Sequence, residues 1–151
     1  MKKKVLIITY YWPPFSSPGV QRWLKFVKYF DQFNIKPYVY TPDISNIHQV
    51  DESLISDIPE SAVIIKRPIF LFYSLLKLFS SNYYNKYNRG LIPSKKNLTV
   101  IDKILLYFRG NFFIPDPKIF WTNRSLNFIK QYIDLNDIET IITTGPPHSM
   151  H

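Results

Sequence analysis

The chain has 151 residues and no cysteine, with 46% hydrophobic and 17% aromatic content. That is one domain's length with ample material for a core, and it excludes a disulfide framework, thiolate metal sites and thiol redox chemistry. The net charge of +8 is unevenly placed: twelve Lys/Arg stand against two acids between 66 and 130, whereas the rest of the chain has seven bases and nine acids.

Lys2-Lys3-Lys4 leads into Val5-Leu6-Ile7-Ile8-Thr9. The apolar run is too short for the h-region of a signal peptide and no small-residue cleavage site follows, so a buried strand is predicted over 4–9. The segment 10–19, Tyr-Tyr-Trp-Pro-Pro-Phe-Ser-Ser-Pro-Gly, is expected to be a loop, because its prolines lack amide donors. From Val20 the residues Trp23, Leu24, Val27 and Phe30 fall at helical spacing, and Asn34 suits a left-handed stop. A second strand is predicted over 37–41, a short helix over 53–58 and a third strand over 62–66.

The stretch 68–113 reads as a basic, aromatic insertion, with helices expected over 68–80 and 100–109 and a loop over 82–97. Its apolar run at 68–79 is interrupted by Ser74 and Lys77 and falls far short of the roughly 20 residues that span a bilayer. Such a surface fits an anionic, partly apolar partner: a membrane face or a lipid-linked phosphate, with nucleic acid as the rival. Asp116, between Pro115 and Pro117, reads as a turn former. A helix is predicted over 121–135 through Leu126, Ile129, Tyr132 and Ile133, and a fourth strand over 139–144.

Strands alternating with helices predict an α/β fold, a Rossmann-like, doubly wound parallel sheet of order 3-2-1-4. A ligand crevice is expected outside the carboxyl ends of strands 1 and 4. The loops that leave those strands are the most unusual in the chain: 10–19, and Gly145-Pro146-Pro147-His148-Ser149-Met150-His151. With half a sheet made and an edge left open, the fold is expected to be incomplete, part of a longer protein.

Val5 to Pro14 followed by Pro18-Gly19-Val20-Gln21-Arg22-Trp23 resembles the opening of family 4 glycosyltransferases. The runs Phe113-Ile114-Pro115-Asp116-Pro117-Lys118-Ile119-Phe120-Trp121 and Thr143-Thr144-Gly145-Pro146-Pro147-His148-Ser149-Met150-His151 resemble a bacterial subgroup of them. The resemblance implies the N-terminal, acceptor-side half of a two-domain GT-B enzyme, with a C-terminal donor-binding domain beyond these residues. It implies a nucleotide sugar as donor substrate, a glycan or lipid-linked acceptor, no further cofactor and no metal. It also implies a place at the cytoplasmic face of a bacterial membrane, in cell-surface polysaccharide assembly.

The resemblance gives His148 a place near the transferred sugar and lays Pro18, Gly19, Val20, Gly145, Pro146, Pro147 and Ser149 around donor or acceptor. Pro18 stands where an amide donor is expected, and cannot act as one. His151 is a lesser candidate, and His48 reads as solvent-facing. No Asp-x-Asp clamp, dinucleotide glycine fingerprint, phosphate loop or hydrolase nucleophile elbow is present, and the histidines lack metal-ligand spacing. The competing readings are a non-catalytic membrane- or partner-binding module and a nucleic-acid-binding domain; no nucleic-acid partner is expected.

Overall fold

The computed structural model describes residues 2–44, 50–69, 114–116 and 118–151, together with helical positions at 100, 103, 104, 107, 110 and 111. Most of the predicted insertion, including the loop expected over 82–97, lies outside the described residues. Four strands, β1 (Lys3–Thr9), β2 (Ile35–Asp43), β3 (Val63–Pro68) and β4 (Thr140–Thr144), form one sheet of order β3-β2-β1-β4. Every pairing is parallel, with Ile7 opposite Val39 on one side and Ile142 on the other. The expected strand order and direction are both found.

Strand alternation divides the core in two. Val5, Ile7 and Val39 face helix α1 (Pro18–Tyr29) and pack on Val20, Leu24 and Val27, with Trp12 and Leu54 closing the cluster. Leu6, Tyr38 and Tyr40 face the opposite way, toward Trp121 and Ile129 of helix α2 (Ile119–Asn136). Helices thus cover both faces, as a parallel sheet requires. Among the described residues no helix is long and apolar enough to cross a membrane.

Two boundaries differ from the sequence expectation. Helix α1 begins at Pro18, so Pro18 and Gly19 lie in its first turn and not in the preceding loop. Proline is well placed at a helix start, where its missing N–H has no intrahelical acceptor, and Ser17 caps the turn by accepting from Val20 N. Asn34 is left-handed as expected, but it closes a 3-10 turn, Phe30–Phe33, that ends the helix; the helix expected over 53–58 is likewise a 3-10 turn, Glu52–Ile55.

Helix α2 keeps the expected phase at Ile129, Tyr132 and Ile133, which pack on the core, and departs from it at one position. Leu126 is 46% exposed, and the buried stripe runs Trp121, Ser125, Ile129. Tyr40 fixes that phase, because its ring stacks on Trp121 at 5.5 Å and its hydroxyl donates to Ser125 Oγ at 2.7 Å. Asp137, in the left-handed region at φ 50°, ends the helix, and Ile138 N donates back to Ile133 O at 3.1 Å.

Candidate functional site at the carboxyl ends of β1 and β4

Thr9 and Thr144 are register partners, so the chain leaves β1 and β4 side by side at one edge of the sheet. After β1 the loop is held by Thr9 Oγ1, which donates to Tyr11 O at 3.0 Å, and by a turn in which Phe15 N donates to Trp12 O. Asp51 N donates to Pro14 O at 2.8 Å and anchors the loop's outer side. Tyr10 packs edge-on against Tyr11 and Trp121, and Phe15 against Tyr11. Lys118 Nζ lies 4.7 Å from the centre of the Tyr10 ring.

After β4 the chain turns through Gly145 and Pro146, both exposed, and buried Pro147 into a 3-10 turn, His148–Met150. Met150 drops into the core beside Tyr10 and Trp121. His148 opens this turn and is exposed. His151 Nδ1 lies 2.8 Å from Thr143 Oγ1, and a Cβ on Gly145 would meet His151 Nε2 at 2.7 Å. Gly145 therefore lets the histidine fold back over the end of β4.

Asp116 ties this loop to the start of α2. Its Oδ1 accepts from Lys118 N at 2.8 Å and Ser149 Oγ at 2.9 Å, and its Oδ2 accepts from Ser149 N at 2.7 Å. Burial, and then the negative charge of Asp116, push the Tyr11 hydroxyl above its ordinary range. Near neutral pH Tyr11 is thus a protonated hydrogen-bond donor in the loop that leaves β1, its side chain partly exposed. Trp23 joins the two walls by donating from Nε1 to Thr144 Oγ1 at 2.8 Å.

The glycine turn is reshaped by the early start of α1. Val20 is fully buried and its amide is taken by Ser17, so its side chain belongs to the core. Pro18 has no amide to give. Gly19 has no positive φ, and a Cβ there would find its nearest neighbour, Ser17 Oγ, at 4.0 Å.

The structure thus brings the loops of 10–17 and 145–151 together, with Pro18 and Gly19 at the head of the adjoining helix. It adds Tyr11, Trp23, Asp116, Lys118 and Thr144, none of which was singled out as a site residue. All five lie in the runs that carry the resemblance, but only Asp116 carried a local chemical signal, a carboxylate between prolines that shapes a turn. The chain matches no family model, no curated protein and no solved structure.

Proposed function

We propose that this domain forms the acceptor-side wall of a family 4-like GT-B glycosyltransferase, moving a sugar from a nucleotide-sugar donor to an acceptor hydroxyl in bacterial cell-surface polysaccharide assembly. The observation that carries the reading is Gly19. A glycine costs up to about 1 kcal/mol relative to alanine in a helix interior, less in a first turn, and is often explained by a left-handed backbone or a close neighbour. Gly19 has neither, and it stands in a first turn beside the crevice.

A group arriving from outside, such as a sugar diphosphate, accounts for the missing side chain, because the Gly19 amide can then meet one of its oxygens; Pro18 has no amide, and those of Val20 and Gln21 are taken by Ser17. Tyr11 offers a hydroxyl donor and His148 an exposed imidazole to sugar hydroxyls. The carboxylate Asp116 is already engaged by the protein, so it binds no metal on this reading. The base and ribose of the donor are left to the second domain that the resemblance implies, and the acceptor is presented at the cytoplasmic face of the membrane.

The test is transfer from uridine- and guanosine-diphosphate sugars to lipid-linked acceptors by the product of the complete reading frame. Residues 1–151 alone should bind these donors no more tightly than about millimolar, a level worth about 4 kcal/mol. Absence of transfer by the complete product sinks the proposal. Micromolar donor binding by residues 1–151 alone overturns the division into two walls.

A further inference from the structure

We propose that Asp116 is a positioning residue that holds the 145–151 loop, and His148 with it, in its working place. The 3-10 turn that carries His148 is preceded by Pro147, which has no side-chain acceptor to cap it. The amide of Ser149, the second residue of that turn, is instead received by Asp116 Oδ2 at 2.7 Å, from 33 positions earlier in the chain. A cap is normally the neighbour of the turn it serves. Here it comes from the lead into α2, and it therefore sets where the turn lies as well as closing it.

The carboxylate is fully employed in that task. Its Oδ1 receives both Lys118 N and Ser149 Oγ, so three donors fill most of the roughly four lone-pair sites a carboxylate offers. It has little left with which to take a proton from a substrate, which separates it from a general base. Charge-assisted bonds of this kind are among the stronger ones, and two of the three reach a segment otherwise held by β4 and by Met150 in the core.

The purpose assigned to the loop rests on the glycosyl-transfer reading; the hold itself does not. The experiment compares Asp116→Asn and Asp116→Ala with the parent protein, in the product of the complete reading frame. Asparagine has one acceptor oxygen in place of two, so either Ser149 N or the Oδ1 pair loses its partner. Amide exchange at Ser149 should quicken about tenfold or more in both variants. The kcat for transfer should fall by at least a similar factor, with KM for the nucleotide sugar little changed. Ser125→Ala, which weakens the packing of α2 away from the loop, is the control: it should lower Tm without altering Ser149 exchange or kcat.

Exchange at Ser149 unchanged in both Asp116 variants overturns the proposal. So does faster exchange with unaltered kcat, because the loop would then be held to no purpose. If the parent protein transfers no sugar, the glycosyltransferase reading fails with it, and exchange at Ser149 still decides whether Asp116 holds the turn.

Discussion

Trp23 Nε1 donates to Thr144 Oγ1 over 2.8 Å, joining the middle of α1 to the last residue of β4. Thr144→Val keeps the shape of the side chain and removes the acceptor, leaving a partly buried indole N–H unmet. The expected loss is about 1 kcal/mol of folding stability, read from urea denaturation. A double-mutant cycle with Trp23→Phe should return a coupling of about 0.5 kcal/mol or more. Additive effects would show that the bond contributes nothing to the joining of the two walls.

Gly19→Ala should separate stability from activity. The backbone there suits any L residue and the space for a Cβ is open, so the variant should be more stable by a few tenths to about 1 kcal/mol. On the proposed function the added methyl stands where the donor approaches, and transfer should drop. A variant that is both more stable and fully active removes the central support of the proposal.

Asp57 sits between Lys25 and Lys28, its carboxylate accepting from both. Those two bonds lower its pKa from 3.8 to about 2. A lowered folded pKa means that the unfolded chain binds more protons in this range, so stability rises with pH across it. The contribution is complete above the ordinary value of 3.8 and is lost as pH falls to about 2. Asp57→Asn should flatten that part of the urea midpoint against pH, and salt should shrink the difference because the pairs are exposed. An unchanged acid limb in the variant would assign it to other carboxylates.

The buried chain from Tyr40 through Ser125 to the Trp121 carbonyl runs one way: the phenol donates at 2.7 Å and the serine donates onward at 2.8 Å. Tyr40→Phe removes one donor and should cost about 1 kcal/mol. Ser125→Ala strands the phenol in the core and should cost more, up to about 3 kcal/mol. Thermal or urea unfolding ranks the two. The reverse ranking would contradict the donor direction.

The first strand was legible because a parallel sheet buried on both faces leaves continuous apolar runs such as Val5 to Thr9, whereas Thr140 to Thr144, exposed or half-buried throughout, was legible as a run of β-branched residues. That β1 and β4 end side by side followed from strand order alone. Less legible was the upper end of the buried stripe of α2, since hydrophobicity favoured Leu126 where the structure buries Ser125. A buried serine is chosen by its bond to Tyr40, which lies 85 positions away, and no local period carries that information. The start of α1 was missed for a related reason: Pro18 reads as a breaker until a preceding Ser17 is recognised as its cap. The contacts of Asp116 and Trp23 join distant segments, and the sequence offered only the turn chemistry of the first.

Strand β1 meets Val39 through Ile7 early in the chain but waits for Ile142 to complete its other side. Closing the longer of these two loops costs about 1 kcal/mol more in chain entropy than closing the shorter. The unit of β1, α1 and β2 is therefore expected to assemble first, while β4 can dock only after the residues up to Thr144 have been made. During synthesis the first wall of the crevice stands ready on the ribosome long before its second wall emerges. Trp23, poised on that first wall, has no Thr144 to meet until β4 docks, and the kinetic signature to expect is a late folding phase sensed by its indole fluorescence.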